Sequence, residues 1–113
     1  MSIIALQKSF TDSSDNSYDF HKISQVSIMP LSPTTTVYVD LEGFKNQAAY
    51  DAGKSRVESR RFAFTGTDYD DILNGPDVIQ DCYAKIETAS ANPGPQGGVL
   101  EDWTTGVTQI TSP

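Results

Sequence analysis

The segment TTTVYVDLEGF, residues 34–44, decides the fold, because its side chains alternate with the two-residue period of a β-strand. The residues expected on the buried side are Thr35, Val37, Val39 and Leu41. Asp40 and Glu42 fall between them, on the side that would face water. The alternation predicts a strand in a sheet that has one buried and one solvated face.

The segment His21–Met29 is predicted to be a second strand. Ile23 would lie on one of its faces, but Val26 and Ile28 would lie on the other. An extra residue in the strand changes the side to which later residues point, so we expect a β-bulge near Gln25.

Proline, asparagine and glycine set the predicted connections. Pro30 and Pro33 have no backbone N–H to donate, so the chain is expected to leave the sheet between them. After the 34–44 strand, Asn46 is predicted to cap a short helix over Gln47–Ala52, which Gly53 would end.

A further strand is predicted over Val57–Thr65, with Phe62 and Phe64 on one face together with Arg60. It overlaps the densest group of basic residues, which comprises Lys54, Arg56, Arg60 and Arg61 with Glu58 among them. Because the charges are of mixed sign, they favour a solvated or partner-facing strand over a phosphate-binding track.

Gly75-Pro76 is predicted to begin a helix, since proline is favoured in the first helical position. The next apolar residues at helical spacing are Ile79, Cys82, Tyr83 and Ile86. This single stripe predicts a helix that packs on the sheet. The fold class expected is therefore α+β, a small antiparallel sheet packed by one C-terminal helix.

Both ends of the chain carry spaced apolar residues that the middle has little capacity to bury. We predict an N-terminal arm over residues 1–17, an α+β core over 18–88, a Pro/Gly linker over 89–98 and a C-terminal arm over 99–113. The residues predicted to bind a partner are Ile4, Leu6, Phe10, Val99, Leu100, Trp103, Val107 and Ile110. For Trp103, an anchor in a partner subunit is favoured over folding back on its own sheet.

Charge and cysteine content narrow the functional class. The formal net charge is -7, which repels nucleic acids and anionic membranes, so neither is an expected partner. The one cysteine, Cys82, cannot form an internal disulfide, which indicates a protein of a reducing compartment or one that does not use disulfides. The N-terminus lacks the basic and apolar regions of a secretory signal.

Two motifs that suggest ligands fail on spacing. The Gly-Lys-Ser of residues 53–55 lacks the earlier glycine of a phosphate loop and comes after a predicted helix rather than a strand. Asp68, Asp70 and Asp71 are predicted to lie in a loop, but they do not match the ligand positions of a calcium loop. No cofactor or metal is expected.

No arrangement of catalytic residues is predicted either. His21 and Cys82 lie on unrelated elements, and we interpret them as a strand residue with one hydrogen bond and a core residue. Glu101 and Asp102 are adjacent, so on an extended segment they would point to opposite faces. We therefore expect a protein that is not an enzyme.

Several segments together resemble a small structural protein of tailed bacteriophages. They are YDFHKIS (18–24), VDLEGFKN (39–46) running into AGK (52–54), RFAF (61–64) and CYAKI (82–86). The resemblance implies a virion component made in the host cytoplasm, bound to other virion proteins and expected to form a homo-oligomer. A place in the tail, baseplate or neck is favoured. The alternatives are a capsid decoration protein and a small acidic regulator that binds a basic protein.

Overall fold

The fold is α+β, and its centre is a five-stranded antiparallel sheet. The structure is a computed structural model, and it describes residues 2–12, 14–31 and 35–112. Its elements in chain order are β1 (Ile3–Thr11), β2 (Ser17–Met29), β3 (Thr36–Phe44), α1 (Gln47–Asp51), β4 (Glu58–Thr65), α2 (Thr67–Asn74), α3 (Val78–Ile86), β5 (Asn92–Pro93), β6 (Leu100–Glu101) and β7 (Thr108–Thr111). A 3₁₀ turn, Pro95–Gly97, lies between β5 and β6, which pair with each other.

The strand order of the sheet is β4-β3-β2-β1-β7. The first four strands form an antiparallel meander, and β7 returns from the C-terminus to pair with β1, with Ile3 opposite Thr111. The extended arms predicted from the sequence are therefore not confirmed. One strand from each end of the chain, β1 and β7, completes the chain's own sheet, and β1 lies inside it rather than at an edge.

Several local predictions are confirmed. The β2–β3 register shifts between Ile23 and Gln25, where the bulge was expected. The Asn46 side chain accepts a hydrogen bond from the Ala49 N–H at 2.8 Å and so caps α1. Gly53 has φ +76°, the left-handed conformation that ends a helix without steric cost to glycine. Pro33 and Thr34, part of the predicted turn and strand start, lie outside the described residues, as do Met1 and Pro113.

The main core lies between the sheet and the two helices α2 and α3. Its buried members are Leu6, Val37, Val39, Leu41, Phe62, Phe64, Tyr69, Ile72, Cys82, Tyr83, Ile86 and Trp103. A smaller cluster of Ala5, Phe20 and Phe44 packs with Tyr50 and Ile110. Phe44 and Leu41 are an odd number of residues apart on β3, so their side chains point to opposite faces of the sheet. The second cluster therefore covers the face opposite the main core.

Two helices, α2 and α3, pack on the sheet where a single one was predicted. Asp68 and Asp70 lie in the first turn of α2 rather than in a loop, where negative charge is favourable next to the helix dipole. The N-cap of α3 is Asp77, whose carboxylate accepts hydrogen bonds from two backbone N–H groups, so the helix begins after Pro76. Ile79, predicted to lie in the core, is 44% exposed. Among the described residues, no helix has the length and apolar character needed to cross a bilayer.

The packing of α3 along its length can be tested by truncating two isoleucines of the same apolar stripe. Ile86 is fully buried, so Ile86→Ala should lower the free energy of unfolding by about 2–5 kcal/mol through lost burial and a cavity. The matched control Ile79→Ala makes the same change near the N-terminal end of the stripe, where the side chain is 44% exposed, and should cost clearly less. Urea denaturation of both variants measures this, and equal losses would contradict the difference in burial between the two ends of the helix.

Candidate functional site

The most unusual feature of the core is a buried arginine. Arg60 lies two residues before Phe62 on β4, so the strand alternation directs it to the same side as the core phenylalanines. Its side chain is 0% exposed. A buried charge costs several kcal/mol unless it is paired and hydrogen-bonded, so its partners are decisive for the fold.

The main partner of Arg60 is Glu101 on β6. Arg60 Nε donates to Glu101 Oε1 at 2.6 Å, and Nη2 donates to Oε2 at 3.1 Å, which is a two-point ion pair. Nη2 also donates to the Tyr18 hydroxyl at 2.6 Å. The guanidinium carbon lies 4.9 Å from the Phe10 ring centroid and 5.4 Å from that of Trp103, so aromatic faces surround the charge.

His21 completes the polar part of this cluster. Its Nε2 is 2.8 Å from the Lys8 carbonyl oxygen, which only accepts, so Nε2 must carry the proton. Nδ1 is then free to accept from Arg60 Nη1 at 3.4 Å. Burial, offset in part by the Lys8 carbonyl and reinforced by the Arg60 charge, lowers the pKa of His21 to about 4. His21 is therefore neutral, and it makes two contacts rather than the single hydrogen bond predicted.

Trp103, from the C-terminal segment, packs its ring against the cluster. It is 0% exposed, and its backbone N–H donates to the Ala89 carbonyl at 2.7 Å. Its ring centroid lies 5.2 Å from that of Phe10 and 5.0 Å from that of His21. The favoured prediction of a partner-subunit anchor is thus corrected: Trp103 folds back on its own sheet. Its Nε1 has no hydrogen-bond acceptor within the described part of the chain.

The residues predicted to bind a partner divide into two groups. The members that are buried or partly buried in their own chain are Ile4, Leu6, Phe10, Trp103, Val107 and Ile110. Val99 and Leu100, by contrast, are 87% and 61% exposed. A role in partner binding for these two stays a prediction, and they are the part of the set with free apolar surface.

A depression of about 320 Å³ adjoins the arginine cluster. Its lining residues include Tyr18 and Glu101 of the cluster, together with Asp12, Glu58 and Val99. The lining is acidic, but the Glu101 carboxylate is already paired with Arg60. No group of three or more histidine, cysteine, aspartate or glutamate side chains suited to a metal ion occurs in residues 2–12, 14–31 and 35–112.

The sequence contained one signal for this cluster. Arg60 is in phase with Phe62 and Phe64, and a charge on an apolar face needs a buried partner. The partner could not be identified, because Glu101 lies beyond a segment interpreted as a flexible linker. The two residues are brought together by β5, the 3₁₀ turn and β6, which fold along β4. One contact there is the hydrogen bond from Asn92 Nδ2 to the Arg61 carbonyl at 3.2 Å.

No protein-family model, curated protein or solved structure significantly matches this chain. The resemblance to phage structural proteins therefore stays a prediction from the sequence.

Adjacent arginines on β4 allow a matched test of the buried ion pair. Arg60→Ala leaves Glu101 without its partner and should lower the free energy of unfolding by about 3–5 kcal/mol. Arg61→Ala removes an arginine that also pairs with a carboxylate, Asp40, but whose side chain is 56% exposed, so its cost should stay within about 1 kcal/mol. Chemical denaturation of both variants gives the comparison. Similar losses would mean that burial does not govern the energy of the pair.

His21 should make stability depend on pH. Its pKa in the folded protein, about 4, is below the ordinary value of 6.5, so the unfolded chain binds the proton more readily. The contribution of neutral His21 is complete above the ordinary pKa, and it is lost as pH falls towards 4, by about 3 kcal/mol in all. His21→Gln removes this titration. The free energy of unfolding, measured in urea from pH 7 to pH 4, should therefore fall less steeply for the variant, and parallel curves would contradict the assignment.

Proposed function

We propose that this chain is a non-enzymatic structural subunit of a tailed-bacteriophage virion, located in the tail, baseplate or neck. The observation that carries the assembly role is the exposed apolar pair Val99 and Leu100 on the β5–β6 hairpin. Isolated exposed apolar residues are common on monomers. Here two adjacent ones occur next to Glu101, whose carboxylate is fixed by the buried Arg60.

The ion pair gives this surface a defined position. Glu101 anchors the hairpin on the C-terminal side of Val99 and Leu100, and the hydrogen bond from Asn92 Nδ2 to the Arg61 carbonyl anchors its other strand. A surface that is ordered before binding loses less conformational entropy on association. The arrangement supports a hairpin that presents Val99 and Leu100 to a neighbouring subunit.

The phage assignment is supported by the sequence resemblance. The arginine cluster also fits a structural protein, because Arg60 forms its hydrogen bonds within the cluster, with Glu101, Tyr18 and His21. Quantitative mass spectrometry of purified particles tests the proposal. The protein should remain with the particles at a small copy number. Hundreds of copies would indicate capsid decoration, and absence from particles would favour the acidic regulator.

The hairpin itself can be tested with charge substitutions. Val99→Asp together with Leu100→Asp should leave the urea midpoint nearly unchanged, because both side chains are already exposed, but should abolish incorporation into particles. Introducing carboxylates into an apolar contact leaves them desolvated and unpaired. The control Ala84→Asp adds negative charge on an exposed position of α3 and should be incorporated normally. Incorporation of the double variant at wild-type level would contradict a role for the hairpin.

A further inference from the structure

The second half of β2 has an open edge. β2 pairs with β3 from Phe20 to Met29, but its pairing with β1 extends only to His21. There the Tyr83 hydroxyl stands between the two strands: it accepts from the Ile23 N–H at 3.0 Å and donates to the Ile4 carbonyl at 3.1 Å. Beyond this point, no described strand pairs with Ser24–Met29 on the side away from β3.

This open edge lacks most of the devices by which monomeric proteins discourage edge pairing. Charged side chains and prolines are the usual ones. No charged residue occurs between Lys22 and Asp40, and no proline occurs before Pro30. The bulge at the start of the segment is the one such feature present.

Exposed apolar side chains adjoin the same edge. Ile28 is 42% exposed, Met29 is 45% exposed and Leu31, just beyond the strand, is 97% exposed. A strand that paired with Ser24–Met29 would satisfy the backbone groups of the edge. It would also bring partner side chains close enough to shield this apolar surface.

We propose that the occupant of this edge is a second copy of the chain, whose own β2 pairs antiparallel with the first about a twofold axis. An antiparallel edge is self-complementary, and twofold contacts are the commonest form of self-association. The distribution of charge favours the β2 edge as the surface of self-association. Two copies with a net charge of -7 repel each other, and the repulsion is smallest where the uncharged Ser24–Met29 edges meet.

The pairing joins two sheets into one continuous sheet and leaves the β5–β6 hairpin of each copy available. It deepens the proposed function by naming the self-contact of the subunit, but it can fail independently. A monomeric protein that still enters particles would overturn the dimer alone. A dimer that is absent from particles would overturn the virion assignment alone.

A charge swap at the centre of the edge tests the dimer. Ser27 lies in the middle of Ser24–Met29, so substitutions there would come close to their own copies across the axis. Sedimentation equilibrium should show a wild-type dimer. Ser27→Lys and Ser27→Glu alone should each weaken it on the order of tenfold or more, since like charges then face each other. An equimolar mixture of the two variants should restore the dimer, which also shows that both are folded.

Thr108→Lys on β7, the edge strand that follows β1 in the sheet order, is the matched control and should dimerise like the wild type. Hydrogen exchange gives a second readout: the amides of residues 24–29 should become more protected as wild-type concentration rises. A monomeric wild type, dimers unaffected by either Ser27 variant, or dimers lost in Thr108→Lys would each overturn the proposal. Pairing of this edge only with a different virion protein would do so as well.

Discussion

The buried guanidinium of Arg60 is the constraint on which the C-terminal third of the chain depends. An arginine on the apolar side of a sheet is tolerated only if a carboxylate and further acceptors reach it. Glu101 supplies the carboxylate, and Tyr18 and His21 supply the acceptors. Meeting this requirement brings the segment around β5 and β6 onto β4, although its composition is that of a linker.

The position of Glu101 also fixes the path of the last residues of the chain. Trp103, two residues later, enters the core beside Phe10 and His21, and the chain then continues to β7, which pairs with β1. The Arg60–Glu101 ion pair and the ring contacts of Trp103 thus fix the positions of Trp103 and of β7. Val99 and Leu100, which precede the anchored carboxylate, remain exposed.

Local features of the fold were predictable from the sequence where a short pattern has a single physical meaning. The alternation in β3, the bulge at Gln25 and the cap at Asn46 each depend on neighbouring residues. The fate of the two ends was not predictable in this way. Alternating apolar residues show that a strand needs a sheet, but they do not show whether the sheet belongs to the same chain. Similarly, the strand alternation predicted the face on which Arg60 lies, but nothing in the sequence identified Glu101 as its partner.

Core packing and the open edge of β2 have the same origin. Tyr83 is 2% exposed, and its ring belongs to the main core while its hydroxyl occupies the place of a β1–β2 backbone contact. The residue that attaches α3 to the sheet thus ends the pairing of β1 with β2 near Ile4. In the register that pairs Leu6 with His21, Ile3 would lie opposite Ser24, so continued pairing of β1 would displace this hydroxyl and reach only the first residue of the edge. The start of the open edge is therefore set by how the helix packs on the sheet, whereas the rest of Ser24–Met29 lies beyond the end of β1.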